Sequence, residues 1–308
     1  MHHHPDRAAS RRSIVWPAEW MTMDTVRGLE GIPEAIAALD RTARRRTTPC
    51  GDGTMAWREW GDGVPVALFH GGYGSWQHWM RNIGPLTGAG YRAVVPDLPG
   101  LGDSAMPPPT DNLDAVSDIV CSGLVAMLAP REPVHLVGFS FGSQIAGRAA
   151  ALLGERLRSL TIVGAGGLGL PRGRASNLRR VAPRMSGAEI AALQRDNLGR
   201  FMIHDPASID DAAVWMQVRH VAVGRFKSVP FAPGDRLARV LPSIRAPIGG
   251  IWGEFDITAY PYLDQREKLL RSIQPGARFH IVPGAGHWVQ YEGAPEFNRV
   301  LLQWLAGR

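Results

Sequence analysis

Cysteine is nearly absent: Cys50 and Cys121 are the only two in 308 residues. That is too few for a disulfide framework, and neither has a metal-ligand partner near it in sequence. Such usage fits a reducing cytoplasm, which is the expected location. No apolar run reaches the roughly 18 residues that a membrane-spanning helix needs. The N-terminus also lacks the apolar core of a secretory signal. There is no internal repeat and no low-complexity tract. Residues 1 to about 30 mix Arg, Ser, Pro and Trp without periodicity and read as a poorly ordered extension, with Met21 and Met23 as alternative starts. His2 to His4 have no acidic or thiol partner, so they read as part of that leader, and neither a metal nor a cofactor is expected.

Hydrophobic residues make up 45% of the chain, enough for a large core. The formal charge is +6 and the pI about 9.9, but the basic residues form no single stripe. Arg7, Arg11 and Arg12 lie in the leader, Arg41 and Arg44 to Arg46 close the first helix, and Arg172, Arg174, Arg179, Arg180 and Arg184 fall in a later insert. They read as solvated surface, so neither a specific nucleic-acid partner nor a membrane surface is expected. A homo-oligomer is left open.

Ala35, Ile36, Leu39 and Ala43 recur at helical spacing after Pro33, which predicts a short helix to about Arg46. Thr54 to Trp60, the Gly61-Asp62-Gly63 turn and Val66 to Phe69 then read as an opening hairpin. Beyond it helices alternate with the apolar strands Arg92 to Val95, Val134 to Val137 and Leu160 to Val163. This alternation predicts βαβ units and a mostly parallel sheet flanked by helices. The rhythm breaks between Leu168 and Arg236, where only helical patterning is present, including Ala188 to Phe201 and Ile209 to Phe226. It resumes with Ile248 to Trp252, a helix from Leu263 to Ile273, the strand Arg278 to Val282 and a terminal helix from Pro295 to Leu305. The expected organisation is an N-terminal extension over 1–46, an α/β core over 47–167 and 237–308, and a helical cap over 168–236.

Chemistry concentrates in Gly138-Phe139-Ser140-Phe141-Gly142, a GxSxG that directly follows an apolar strand and directly precedes a helix. A sharp strand-to-helix turn strains the serine backbone, and larger side chains two positions either side would collide with neighbouring structure. The turn lifts the hydroxyl to the carboxyl edge of the sheet, above a helix N-terminus. A serine hydroxyl is a weak nucleophile, so it needs a base, and the base needs an orienting acid. Asp256 follows the strand Ile248 to Trp252, and His287 follows the strand ending at Val282. Both belong at the same sheet edge, in the order Ser, Asp, His. Glu254 is the alternative acid. His135, His204 and His220 read as structural or surface histidines, and Asp97 as binding its own turn. His70-Gly71-Gly72 follows the strand Val66 to Phe69, and such a loop lets backbone N–H groups reach a substrate oxygen. The expected donors are Gly72 N–H and Phe141 N–H, with the His70 ring supporting the loop.

With these parts in place the sequence resembles the α/β-hydrolase fold family over nearly all of residues 50 to 305. Arg81 to Leu86, Gly90-Tyr91-Arg92, Gly164 to Gly169 and Gly286 to Glu292 look like the meta-cleavage-product hydrolases, which cut a carbon-carbon bond in dienoates. Trp288 and Glu296 to Arg299 fit that subgroup. The resemblance implies asparagines before the nucleophile and at about His78, and a cap arginine near Gln217. This chain carries Phe139, His78 and Gln217 there, with Arg219 as the substitute arginine. Tyr73, Phe139, Trp215, Arg219 and Trp288 are the expected substrate contacts, with Met216 and Phe226 as further cap side chains. The reading from the residues is a serine hydrolase acting on a small acyl substrate of the carboxylic-ester type. Carbon-carbon hydrolysis and ligand binding on a hydrolase scaffold are the alternatives.

Overall fold

The computed structural model describes residues 31–173 and 177–307. The leader readings, including Met21, Met23 and the three N-terminal histidines, lie outside the described residues, as does Arg174. Eight strands form one sheet: β1 (Arg44–Cys50), β2 (Gly53–Trp60), β3 (Val64–Phe69), β4 (Tyr91–Pro96), β5 (Val134–Phe139), β6 (Leu157–Val163), β7 (Ile248–Gly253) and β8 (Arg278–Val282). Their spatial order is β1-β2-β4-β3-β5-β6-β7-β8. Pairing is antiparallel for β1 with β2 and β2 with β4, and parallel from β4 through β8. This is the α/β-hydrolase arrangement.

Two expectations about the beginning of the chain need correction. The first helix, α1 (Glu34–Arg41), ends before Arg44, and Arg44 to Arg46 open β1 instead of closing the helix. The opening hairpin is therefore β1 with β2, while β2 lies beside β4 and not beside β3. Four of the first residues of β1 are exposed, so no alternating apolar pattern betrays the strand. Its arginines and Pro49 suit an edge, where charge and a missing N–H discourage further pairing.

Helices α2 (Met80–Gly88), α3 (Leu113–Met127), α4 (Phe141–Leu153), α8 (Leu263–Ile273) and α9 (Ala294–Leu305) flank the sheet. Alternate strand residues feed two cores. Ala67, Phe69, Leu136, Leu160 and Ile162 pack in one, and Val66, Leu68, Val137, Val163 and Ile251 in the other. A period of two on strands covered on both faces produces this division. Between β6 and β7 the chain forms α5 (Gly187–Phe201), α6 (Asp211–Val223) and the short α7 (Arg236–Val240), with no strand among the described residues. A reciprocal cap between Ser186 and Glu189 starts α5. The base of this insert is tied to the core by Gly169 N–H to Gly234 O (2.8 Å) and Leu237 N–H to Gly167 O (2.8 Å).

The chain runs from β3 to β4 on one side and then to β5 on the other, so β3 and β5 flank the point where strand order reverses. Crevices at the carboxyl ends of such strands are the usual ligand sites of α/β sheets. Phe69 pairs with Gly138 at those ends, which sets the loop after β3 against the turn after β5.

Candidate active site

Ser140 has φ 51 and ψ −112 between β5 and α4, a left-handed conformation that a non-glycine residue adopts only when its surroundings impose it. Those surroundings are tight. A β-carbon on Gly138 would lie 2.5 Å from Gly142 O, and one on Gly142 would lie 2.3 Å from Phe69 O. The Ser140 amide donates to Val163 O (2.8 Å), and Ser143 Oγ donates to Gly138 O (2.5 Å), which ties the turn to the neighbouring strand.

His287 Nε2 lies 3.0 Å from Ser140 Oγ, and His287 Nδ1 lies 2.9 Å from Asp256 Oδ1. These are the distances at which an imidazole accepts a hydroxyl proton while a carboxylate fixes its tautomer. Asp256 is fully buried. Its Oδ1 also accepts from Thr258 N–H (2.9 Å) and Thr258 Oγ (2.8 Å). Burial alone would raise its pKa, but the adjacent His287 charge and these hydrogen bonds outweigh it and hold the carboxyl below the usual range. Glu254 is turned elsewhere, its Oε2 accepting from Gly284 N–H at 2.9 Å.

The loop after β3 is organised by histidines. His70 Nδ1–H donates to Gly71 O (2.7 Å), and its Nε2 accepts from Leu98 N–H (2.8 Å). The ring therefore supports the loop, as its sequence position predicts. Gly72 faces α4, since a β-carbon there would lie 3.8 Å from Phe141 Cβ and against Ser228 Oγ. Asp97 accepts from Asp103 N–H in its own turn (3.0 Å), but also from Trp76 N–H and Arg58. Arg58 is buried and further paired with Asp40 and Asp103, so this cluster locks β2 to the loop after β4.

The expected asparagine position, His78, lies inside a buried cluster. His78 Nδ1 accepts from Gly71 N–H (3.3 Å), and its ring lies 5.0 Å from His220 and 5.5 Å from Phe139. His220 Nε2 is 2.8 Å from Ser75 Oγ and 3.0 Å from Gln77 Oε1. Burial pushes His220 down to about 3 and His70 down to about 4, and places His78 well below its ordinary value of 6.5. All three rings are neutral in the folded protein at neutral pH. Unfolded imidazoles bind protons near pH 6.5, so between pH 6.5 and 4 the unfolded chain holds more protons than the folded one. Stability is thus expected to fall as pH drops through this window, by up to ~1.4 kcal/mol per pH unit for each such histidine. Urea midpoints at pH 7 and pH 4.5 check this, and equal midpoints would contradict it.

The substrate contacts expected from sequence fare unevenly. A cavity of about 750 Å³ opens beside His287 and is lined by Arg172, Arg200, Phe201, Phe255, Tyr260 and Tyr262 among others. Phe139 is fully buried with its ring 5.0 Å from the His287 ring, against which it packs. Trp288 is fully buried too, stacks on Tyr291 (4.2 Å) and donates its Nε1–H to His78 O (3.1 Å). It belongs to the core and not to the cavity wall. Trp215 is half-buried against the core and lies under the Arg219 guanidinium (5.8 Å), so neither reaches the cavity. Tyr73, with φ 50, packs near Gly224 and does not line it. Met216 and Phe226 are core residues, Phe226 lying 5.8 Å from Phe141. His204, expected to be a structural or surface histidine, is exposed and lines the cavity, stacked on Phe255 at 4.0 Å.

Two features escaped the sequence. Arg172 lies in a run of arginines that reads as plain surface, yet it lines the cavity. The Glu292 carboxylate accepts from Gly286 N–H (2.7 Å), next to His287, and from His204 and Asp205 N–H (3.0 and 2.7 Å) at the end of α5. It thereby joins the histidine loop to the insert. No sequence pattern announces a contact between residues so far apart.

Fold and site together define a member of a known class, and the sequence places it there directly: residues 66–300 match the model of the alpha/beta hydrolase family, and the chain belongs to that family. Within it, the chain is 31% identical over 267 residues to a 2-hydroxy-6-oxo-6-phenylhexa-2,4-dienoate hydrolase of Burkholderia cepacia, covering 80% of this chain and 89% of the relative. It is 30% identical to a 2-hydroxy-6-oxononadienedioate/2-hydroxy-6-oxononatrienedioate hydrolase of Comamonas testosteroni, with the same coverage of 80% and 89%. Among solved structures, a meta-cleavage product hydrolase from Pseudomonas fluorescens IP01 superposes with TM-score 0.67 at 21% identity, covering 85% of this chain and 97% of that one. An esterase from Thermogutta terrifontis superposes with TM-score 0.65 at 22% identity, covering 86% and 99%. Both likenesses describe the shared fold.

Proposed function

We propose that this protein is a serine-dependent hydrolase that cleaves a carbon-carbon bond beside the ketone of a 2-hydroxy-6-oxo-dienoate. The observation that carries the chemistry is the Ser140–His287–Asp256 relay, with contacts of 3.0 and 2.9 Å. The choice of bond draws on relatives at 30% and 31% identity whose names specify such dienoates.

Ser140 Oγ attacks the 6-oxo carbon of the keto tautomer while His287 takes its proton and Asp256 stabilises the imidazolium. The Gly72 and Phe141 amides donate to the oxyanion, each worth about 3–4 kcal/mol in the transition state. Collapse of the adduct breaks the bond to the neighbouring carbon. Its electron pair is taken up by the conjugated 2-oxo-enoate, whose 2-oxygen becomes an enolate and receives the proton held by His287, so that a 2-hydroxydienoate leaves. Water, deprotonated by His287, then releases the acyl group from Ser140 as a carboxylate. The helical insert over 168–236 acts as a cap above this site.

Ester hydrolysis through the same acyl-enzyme is the second reading. Phe139 and the neutral His78 favour it, because together they make the wall beside His287 less polar than a dienoate head group would use. Side-by-side assays separate the two. Bleaching of a coloured 6-phenyl dienoate is expected at higher kcat/KM than release of p-nitrophenol from its esters. Ester turnover without bleaching would favour the second reading.

A further inference from the structure

The relatives' names differ at one end of the substrate. One carries a phenyl group on the carbon bearing the 6-oxo function, and the other carries there a chain ending in a second carboxylate. The group on that carbon is the part left on Ser140 after cleavage, so side chains of the cavity that His287 lines are candidates for telling the two apart.

That cavity is aromatic along one wall, with Phe201 5.2 Å from the His287 ring and His204 stacked on Phe255. It also holds two cationic side chains, Arg172 and Arg200. Arg200 is engaged by Asp196 (2.7 Å) on its own helix. Arg172 forms no ion pair among the described residues, and its one hydrogen bond there runs from a terminal guanidinium nitrogen to Ala232 O (3.1 Å). Arg172 is exposed within that lining, and such desolvation as it has lowers its pKa while the charge on Asp256 acts the other way. A guanidinium has five N–H donors in a planar fork, so most of its donors are free to meet a ligand. Its backbone is fixed from the core side: the next residue, Gly173, donates its N–H to Thr258 O (3.2 Å), and a β-carbon there would lie 2.0 Å from Ile257 O. Arg172 is therefore held beside the acid loop in the same cavity as His287.

We infer that Arg172 anchors a carboxylate on the acyl portion of the substrate, so that the enzyme prefers an acyl chain ending in a second carboxylate over a neutral aryl group. This rests on the proposed reaction for the dienoate but concerns only the acyl side, which an ester presents equally. A charge-assisted, forked contact fixes the far end of the chain and leaves the carbonyl at Ser140. Arg219, the substitute expected from sequence, is stacked on Trp215 and is not available for this.

Two substrate pairs test the inference: dienoates bearing phenyl or carboxyethyl at the 6-oxo carbon, and 4-nitrophenyl hexanoate against mono-4-nitrophenyl adipate. In each pair the anionic member is expected to have the higher kcat/KM. Arg172→Gln is expected to reduce that ratio by about 10- to 100-fold, mainly through KM. Arg172→Lys should restore part of it, and thermal melting checks that both variants fold. If only the esters are turned over and the adipate is preferred, the carbon-carbon reading fails and the anchor stands. If no substrate is turned over, calorimetric binding of adipate against hexanoate to Ser140→Ala protein reads the same preference. Equal handling of both members, or a ratio unchanged in Arg172→Gln, overturns the anchor.

Discussion

Ser140→Ala is expected to lower kcat by roughly a million-fold while leaving the fold intact, judging by the loss seen when the nucleophile of such a relay is removed. The serine is held in a strained turn imposed by the close approach of its neighbours at Gly138 and Gly142, and its hydroxyl points at His287 Nε2. Alanine keeps the turn and removes only the attacking atom. His287→Ala should cost about as much, and the double variant little more, because the two residues act as one unit. Steady-state rates of all three against one substrate check this. Additive losses would mean that Ser140 and His287 act separately.

Asp256→Asn is the second large effect, expected at about 10⁴-fold in kcat with little change in KM. The amide preserves the shape but presents a donor where His287 Nδ1–H requires an acceptor, which favours the wrong tautomer. Asp256 Oδ1 receives three hydrogen bonds at once, so the side chain has no slack to rotate away. Glu254→Gln is the control: that carboxylate holds Gly284 N–H and does not touch His287, so its kcat should stay within about tenfold. A collapse in Glu254→Gln with Asp256→Asn unimpaired would reverse the assignment.

Ser140, Asp256 and His287 were legible as a group because each follows an apolar strand whose carboxyl end the alternation identifies. Ser140 follows β5, Asp256 β7 and His287 β8, so one rule places all three on one edge. The loop after β3 was legible for the same reason. β1 was not, because its exposed Arg44 to Thr47 carry no period-two apolar signal. The cavity lining was not legible, for a different reason. Trp288 adjoins His287 in sequence, but its ring fills the core, and adjacency says nothing about direction. The cavity wall draws on Arg172, the end of α5, and the loops after β7 and β8. Such a wall exists only once the insert is seated on the core, and contacts such as Glu292 to His204 and Gly286 seat it there.

The central claim is that Ser140 is the nucleophile, and covalent labelling tests it most directly. Incubation with a fluorophosphonate, followed by peptide mass spectrometry, should find one modified residue, Ser140. Labelling should be lost in Ser140→Ala and strongly slowed in His287→Ala. Modification at another residue, or full turnover by a protein whose Ser140 is blocked, would contradict the account.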